Sequence, residues 1–160
     1  MPILDIKKYP APILKTRAEK VREVNSEIKQ LAQDMIETTQ DSNGAGLSAP
    51  QVGVSKRIIV ADAGDVPCVF INPEILKRKG KEIAEEGCLS FPGIFFKIKR
   101  ASEITCRFLD ENGRRQEMEI KGLLARIVQH ETDHLDGILI IDRVNFLKRR
   151  KALGEYNKQK

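Results

Sequence analysis

The sequence has few cysteines, few histidines and no long apolar run. Its three cysteines, Cys68, Cys88 and Cys106, are odd in number and lie far apart, so the disulfide framework of a small secreted protein is not expected. No stretch approaches the ~20 apolar residues that cross a bilayer, so we expect no membrane role. The start, residues 1–5, has neither a signal-peptide nor a transit-peptide pattern. These absences favour a cytoplasmic protein whose cysteines act as thiols.

Positive charge is concentrated at the C-terminal end. The net charge is +5, yet residues 143–160 alone carry seven Lys or Arg and one Glu, or +6. Residues 1–142 are therefore nearly neutral, and we expect no specific DNA binding. The basic segment 143–160 could contact RNA phosphates, or it could be an ordinary solvated helix end. A chain of 160 residues fits a single domain over residues 1–160.

Residue patterns predict an α+β fold. Apolar residues at helical spacing predict a helix from Asn25 to about Asp41, and the glycines and proline of Gly44–Gly53 predict a shaped loop or edge segment. The predicted strands are Arg57–Ala61, Cys68–Asn72, Ile104–Leu109 and Gln116–Ile120, the last two joined by a hairpin turn at Asp110–Gly113. The middle of the chain is therefore expected to be antiparallel sheet.

Two further helices are predicted after the strands. The first begins at Gly122, runs to Leu135 and is ended by Asp136-Gly137. The second begins near Asn145, and its few apolar contacts are expected to be Phe146, Leu147 and Leu153.

The only two histidines form the pattern His130-Glu131-Thr132-Asp133-His134. Residues four apart lie one helical turn apart, so both imidazoles can reach one metal ion. Glu131 lies close enough to hydrogen-bond a metal-bound water without being a ligand. A chance pair on a solvated face is the alternative, but the flanking helix is apolar and would leave unpaired rings in a costly environment. The pattern therefore indicates a metal-dependent hydrolase.

A catalytic ion also needs a third protein ligand and an open position for water. Cys88 lies in Glu85–Gly93, whose glycines, serine and proline predict a non-regular turn. Cys68 and Cys106 lie in β-patterned runs and are expected to be core thiols. Cys88 is thus the best donor, although a structural role remains open for it when it is taken alone.

Three motifs occur together and in order: Gly44-Ala45-Gly46-Leu47-Ser48-Ala49-Pro50-Gln51, Glu86-Gly87-Cys88-Leu89-Ser90, and Gln129-His130-Glu131-Thr132-Asp133-His134. With this set the chain closely resembles the peptide deformylases, from Pro10 to at least Asp142. The resemblance and the patterns together predict an α+β fold in which antiparallel or mixed sheets pack around a central HExxH helix, with an N-terminal and a C-terminal helix. The implied function is removal of the N-formyl group from the formyl-methionine of newly synthesised proteins, with release of formate.

The resemblance also implies a role for each motif residue. The implied metal ligands are Cys88, His130 and His134, the implied general acid/base is Glu131, and the implied oxyanion donors are the Gln51 side chain and the Leu89 backbone N–H. A metal-bound hydroxide would attack the formyl carbon, and Glu131 would pass the proton to the leaving amine. The implied cofactor is one divalent ion, Fe(II) in the cell, although zinc, nickel or cobalt could use the same ligands.

Substrate contacts are implied as well. Nascent formylated polypeptides would extend as a strand beside the first motif and exchange backbone hydrogen bonds with Gly46. A simple turn glycine is the alternative for Gly46, and we expect Gly44 to be structural. Arg126 and Ile127 are expected to border the methionine pocket. The basic segment 143–160 could bring the enzyme to the ribosome.

Three positions depart from the family pattern. Ser48 stands where alanine is usual, and Ala45 stands where isoleucine or valine is frequent; both changes are expected to affect the shape of the pocket more than the chemistry. Phe95 stands where some members carry an arginine thought to hold the substrate backbone.

Two other functions compete with deformylation. An HExxH peptidase that cleaves internal peptide bonds would need a third ligand on or after the helix, and no histidine follows His134. A non-enzymatic RNA-binding protein would carry a degenerate metal site, yet Gln51, Cys88 and Glu131 are all present. Both functions are therefore disfavoured.

Overall fold

The computed structural model describes residues 3–159. Its helices are α1 (Ser26–Asp41), α2 (Gly122–Leu135) and α3 (Phe146–Lys158), and its strands are β1 (Gly46–Ser48), β2 (Ile58–Ala61), β3 (Cys68–Lys79), β4 (Glu82–Cys88), β5 (Phe91–Arg100), β6 (Glu103–Leu109) and β7 (Arg115–Lys121). Short 3₁₀ turns lie at Pro12–Lys15, Ala49–Val52 and Ile140–Arg143. Met1, Pro2 and Lys160, which entered the arguments on the start and on the basic segment, lie outside the described residues. Over residues 3–159, none of the helices has the length and apolar character needed to span a bilayer.

A five-stranded antiparallel sheet forms the centre, in the order β1-β2-β3-β6-β7. All four residues of β2 are buried because alternate side chains point to opposite faces and both faces are covered. Ile59 and Ala61 pack in the cluster that includes α2, whereas Ile58 and Val60 pack in the cluster that includes α1. The sheet thus lies between the two helices, and the predicted α+β fold with a central HExxH helix is confirmed.

The helix boundaries follow the predicted start and stop signals. α1 begins after Asn25, whose side chain accepts a hydrogen bond from the Ile28 N–H. α2 ends at Asp136 and Gly137, and Gly137 has φ +75°, as expected of a glycine that ends a helix. The Gly44–Gly53 segment contains the edge strand β1 and one 3₁₀ turn, in agreement with the prediction.

The interpretation of Glu85–Gly93 as a non-regular turn is wrong for most of its length. β4 and β5 form a second, two-stranded antiparallel sheet, and only Leu89 and Ser90 form the turn between them. β4 is rich in charged residues and has a weak strand signal. β5 has a clear one, because buried Ile94, Phe96 and Ile98 alternate with exposed residues, but Pro92-Gly93 near its start drew the interpretation towards a turn. β3 also extends beyond the predicted Asn72 to Lys79.

The C-terminal helix forms as predicted, but its apolar contacts differ. Phe146 and Leu147 are 70% and 76% exposed, so the prediction that they pack is wrong. Ala152 and Tyr156 are buried instead, in a cluster with β5, and Leu153 packs partly against it. Ala152 and Tyr156 are four residues apart and so share the face that meets β5, whereas Phe146 and Leu147 lie in the first turn and remain in solvent.

The two cysteines outside the motifs differ in burial. Cys106 lies fully buried in β6, as predicted for a core thiol. Cys68 begins β3 and is only half-buried, so its prediction as a core thiol holds in part.

Candidate metal centre and substrate cleft

The buried helix α2 presents both histidines to one side. His130 and His134 are buried, and their ring centroids are 5.2 Å apart, as expected one turn apart on a helix. Cys88, the last residue of β4, lies 3.3 Å through its Sγ from His134 Nε2. The donor atoms of Cys88, His130 and His134 all lie within 4.8 Å of one another. The structure therefore brings together the three residues predicted to bind a metal.

The chemistry of these donors fits one divalent ion. Borderline ions bind a thiolate at about 2.3 Å and imidazole nitrogens at about 2.0–2.1 Å, so donor atoms this close can surround a single ion. His130 Nδ1 lies 2.9 Å from Glu86 Oε1; when it donates to that carboxylate, Nε2 keeps the lone pair that a metal needs. Burial, with the nearby charges of His130 and Arg100, lowers the pKa of His134 and favours its neutral, ligating form.

Glu86 is the centre of a buried charged network behind the histidines. Its carboxylate accepts hydrogen bonds from Arg100 and Arg126, and Arg100 also contacts Asp133 Oδ2 at 2.6 Å. Burial alone would raise the pKa of Glu86, but the hydrogen bonds and charges of Arg100 and His130 hold it far below its usual value. An ionised Glu86 therefore fixes the His130 ring. This role was not predicted, although Glu86 precedes Cys88 in the second motif and Asp133 lies within the HExxH pattern.

Glu131 is buried beside the three candidate ligands. Its Oε2 lies 3.9 Å from His130 Nε2, and its buried Oε1 has no hydrogen-bond partner among residues 3–159. Burial raises the pKa of the Glu131 carboxyl to about 7, although the charge of His130 opposes this rise. A carboxyl that titrates near neutral pH can both accept and deliver protons.

Gln51 and Leu89 flank Cys88. The Gln51 amide donates from Nε2 to Ser90 Oγ at 3.1 Å and lies 3.6 Å from Cys88 Sγ. Leu89 follows Cys88 in the tight turn before β5 and is half-buried. Both residues line the same cleft as Glu131.

This cleft has a volume of about 480 Å³ and opens to solvent beside the candidate ligands. Arg126 and Ile127 line it, which agrees with their expected position at a pocket border. Ala45 also lines it, whereas Ser48 does not; the Ser48 side chain is fully buried and contacts Gln51 instead. Ser48 can therefore affect the shape of the cleft only through Gln51.

The exposed rim of the cleft includes Phe95. Its side chain is 61% exposed, and its ring lies over Gly87 on the neighbouring strand, where a Cβ would be only 2.6 Å from Phe95 Cε1. The missing side chain at Gly87 thus lets the aromatic ring lie flat at the rim.

The glycines of the first motif allow close approach. A Cβ on Gly46 would lie 2.7 Å from Ile127 Cγ2 and 2.8 Å from Glu131 Oε2. Gly46 lies in β1 and has no positive φ, so it is not a turn glycine. A Cβ on Gly44 would lie 2.8 Å from Leu89 Cδ1, which agrees with the structural role expected for it.

Comparison with known proteins identifies the family. The family described as "Polypeptide deformylase" matches residues 3–150. The chain belongs to this family. A peptide deformylase from Dictyoglomus thermophilum is 55% identical over 141 residues, which are 88% of this chain and 92% of that protein. One from Thermodesulfovibrio yellowstonii is 47% identical over the full length of both chains.

Solved structures agree with this assignment to the family. The peptide deformylase of Thermotoga maritima superposes with a TM-score of 0.88 at 44% identity, covering 91% of this chain and 99% of its own. That of Ehrlichia chaffeensis in complex with actinonin superposes with a TM-score of 0.95 at 37% identity, covering 100% of this chain and 99% of its own. The chain is accordingly an enzyme of a metal-dependent hydrolase family.

Proposed function

We propose that the enzyme removes the formyl group from the N-terminal formyl-methionine of newly synthesised proteins and releases formate. The observation that carries this proposal is the convergence of Cys88, His130 and His134 within 4.8 Å, beside the buried, unpartnered Oε1 of Glu131 and in a cleft shared with Gln51. Membership of the deformylase family supports the same reaction.

Cys88, His130 and His134 hold one divalent ion in this proposal. We assign Fe(II) as the ion in the cell, while zinc, nickel or cobalt can take the same thiolate and imidazole donors. When bound, such an ion lowers the pKa of a coordinated water towards ~7 and polarises a carbonyl oxygen. Glu86 keeps the His130 ring oriented through its 2.9 Å contact with Nδ1.

Glu131 moves the proton. Its buried Oε1 has no competing hydrogen-bond partner among the described residues, so it can accept a proton from the attacking water. The same carboxyl then delivers the proton to the nitrogen of the departing methionine. General acid–base catalysis of this kind typically contributes 10²–10⁴-fold to the rate.

Gln51 and Leu89 stabilise the carbonyl oxygen as it gains negative charge. The Gln51 side-chain amide is held beside Cys88, and the Leu89 backbone N–H comes directly after it. One well-placed donor of this type is worth ~3 kcal/mol of transition-state stabilisation. A small site between these donors and Glu131 admits a formyl group and rejects larger acyl groups by size.

The substrate chain extends along β1. This strand lies at the edge of the central sheet, paired with β2 on one side, and an edge strand can accept a further strand. Gly46 lines the cleft and is the residue proposed to exchange backbone hydrogen bonds with the substrate.

Nascent chains are the natural partners of this activity, so we assign the enzyme to the cytoplasm, where the Cys88 thiol also stays reduced. The basic C-terminal segment is proposed to contact the ribosome. Lys148, Arg150 and Lys151 are exposed on α3 and are available for phosphate groups.

An anaerobic assay tests the proposal. The enzyme is purified without oxygen, its metal content is measured, and N-formyl-Met, N-acetyl-Met and unblocked peptides are supplied side by side. We expect formate release from the formyl peptide and no turnover of the other two. Cleavage of internal peptide bonds, or equal turnover of the acetyl peptide, would contradict the assignment.

Substitution of the proposed acid/base separates metal binding from catalysis. Glu131→Gln keeps the size of the side chain but cannot take up the proton, so we expect kcat to fall by at least about 100-fold while metal content is unchanged. Glu119→Gln, at an exposed position of β7, serves as the control. Full turnover by Glu131→Gln would disprove the mechanism.

A further inference from the structure

The Ser48 hydroxyl lies at the buried end of β1, immediately before the 3₁₀ turn that carries Gln51. The side chain is fully buried. Both the Ser48 backbone N–H and the Ser48 Oγ–H donate to Gln51 Oε1, each over 2.9 Å. The oxygen end of the Gln51 amide therefore receives two hydrogen bonds from one residue.

The nitrogen end of the same amide is fixed on the opposite side. Gln51 Nε2 donates to Ser90 Oγ at 3.1 Å, and the Ser90 hydroxyl donates its own proton to the Lys7 carbonyl at 2.7 Å. Ser90 Oγ must therefore act as an acceptor towards Gln51. The remaining direction of Nε2 is towards Cys88 Sγ, 3.6 Å away.

These contacts leave one favourable orientation for the Gln51 amide. A flipped amide would point Nε2 at the Ser48 backbone N–H, which can only donate, and would bury two donors against each other. The two bonds to Oε1 fill both of its acceptor positions, and linked hydrogen bonds of this kind strengthen one another. The orientation directs an N–H of Gln51 to the side of the cleft where Cys88 lies.

We propose that Ser48 is a positioning residue for catalysis: its hydroxyl holds the Gln51 amide so that Nε2 stays on the Cys88 side of the cleft, from which it can donate to the reacting carbonyl oxygen in place of Cys88 Sγ. The inference rests on the donor role proposed above for Gln51. The backbone N–H of Ser48 sets the direction of the amide, and the hydroxyl restricts its rotation. Ser48 acts only through Gln51, because its side chain lies outside the cleft.

A double-mutant cycle tests this role in the zinc-loaded enzyme. We expect Ser48→Ala to lower kcat about 3- to 10-fold, the effect of one hydrogen bond, with KM changed less than about 2-fold. In a Gln51→Ala background, Ser48→Ala should cause no further loss, because the amide it holds is gone. Equal losses in both backgrounds, or no loss in the first, would overturn the inference.

Ser48→Cys leaves no cavity at this position. Its thiol is somewhat larger than the hydroxyl and is a weak donor, so we expect its kcat to resemble that of Ser48→Ala while its zinc content matches the wild type. A cysteine variant with wild-type kcat would show that packing, and not the hydroxyl, is what matters at this position, and would overturn the inference.

The side-chain amide can also be observed directly. In ¹⁵N-labelled, zinc-loaded protein, we expect the Gln51 NH₂ protons to exchange with water about 10-fold faster in Ser48→Ala, since the amide rotates more freely. Unchanged exchange would overturn the inference even if kcat fell. If Gln51→Ala kept full activity, both the proposed donor role of Gln51 and the inference about Ser48 would be wrong. If Gln51→Ala lost activity but Ser48→Ala did not, only the inference about Ser48 would be wrong.

Discussion

At the scale of single residues, Glu86 connects the candidate ligands to the rest of the protein. One buried carboxylate contacts His130, Arg100 and Arg126. Removing one member of such a buried group leaves the others charged and unpaired, which costs more than the pair itself contributes. The orientation of His130 and the stability of the fold therefore depend on the same side chain.

Glu86→Gln should destabilise the protein by about 3–5 kcal/mol at pH 7. The pKa of Glu86 is lowered in the folded state, so its contribution is present above the unfolded value of about 4.3 and is lost as the pH falls below it. The difference in unfolding free energy between wild type and variant should therefore shrink from pH 5 towards pH 3. Denaturant titrations across this range measure it.

Glu117→Gln is the matched control for this experiment. Glu117 pairs with Arg107 on the surface, where both side chains are more than half exposed, and such pairs contribute little. Two results would contradict the role of the buried Glu86 carboxylate. One is that Glu117→Gln is as destabilised as Glu86→Gln, and the other is that the difference in unfolding free energy between wild type and Glu86→Gln stays constant down to pH 3.

Prediction from sequence reached the three residues that the structure brings together as candidate metal ligands, but not the residues that support them. His130 and His134 have the spacing that metal binding requires, whereas Cys88 was assigned through the resemblance of three motifs to a known family; all three can be recognised from the sequence alone. Glu86, Arg100 and Asp133 meet only after β4, β5 and α2 have packed, and the contact of Ser48 with Gln51 depends on a 3₁₀ turn. The first relation is set by tertiary structure and no local pattern encodes it, whereas the second is a local capping box of the pattern Ser-x-x-Gln, which was not recognised in the sequence.

At the scale of elements, the distance between β1 and α2 is set by one glycine. The Gly46 Cα faces Ile127 and Glu131 so closely that any Cβ would overlap them. The strand that borders the cleft and the helix that carries Glu131, the proposed acid/base, are thereby held in contact. Any larger residue must push the two elements apart.

Gly46→Ala should therefore destabilise the protein by about 1–3 kcal/mol and lower kcat/KM at least about 10-fold, because Glu131 must move. Thermal unfolding and the formate assay report the two effects. Gly154→Ala is the control, since Gly154 lies in α3 with open space around its Cα. Removing a helical glycine there should stabilise the protein by about 0.5–1 kcal/mol and leave activity unchanged. Wild-type activity in Gly46→Ala would refute the close-contact argument.

α3 allows a separate test of ribosome contact. Replacing Lys148, Arg150 and Lys151 by Glu should weaken co-sedimentation with ribosomes at low salt, while turnover of a short formyl peptide stays unchanged. The triple replacement of Lys77, Arg78 and Lys79, exposed on β3, makes the same change in net charge elsewhere. If both variants lost co-sedimentation equally, only net charge would matter. If the α3 variant lost none, the proposal of ribosome contact would be wrong.

The first two helices were predicted well, whereas β4 and β5 were not predicted as strands. α1 and α2 have helical spacing and end signals, and both appear within a residue or so of the predicted bounds. β4 has glutamates where a strand usually has apolar residues, because Glu86 is buried by ion pairs rather than by apolar contacts. In α3, the sequence indicates which residues are apolar but not which face meets β5.

At the scale of the whole molecule, the candidate site joins two separate sheets. Cys88 comes from the two-stranded sheet β4–β5, whereas the histidines come from the helix packed on the five-stranded sheet. A bound ion would therefore hold these parts together. Ligands that bind only the folded state stabilise it by mass action.

Chelation of the metal should lower the melting temperature by about 10 °C, given a few kcal/mol of binding energy and the entropy of unfolding for a chain of this size. Amide exchange should rise most in β4 and at the C-terminal end of α2, and least in β6 and β7. Calorimetry and exchange mass spectrometry measure these effects. Cys88→Ser should show almost no shift on chelation. A shift equal to that of the wild type would mean that the ion is held elsewhere.

The order of the candidate ligands along the chain also affects the protein during its synthesis. Cys88 lies in β4, and the two histidines lie in α2, which is made later. After Cys88, the ribosome adds 46 further residues up to and including His134, which takes a few seconds at ~5–20 residues per second. Until both histidines have been added and α2 has packed, the Cys88 thiol lacks its histidine partners. Loading of the proposed ion would therefore come late in the synthesis of each copy, after the histidine helix has packed, and the yield of active protein should depend on how reducing the cell is until then.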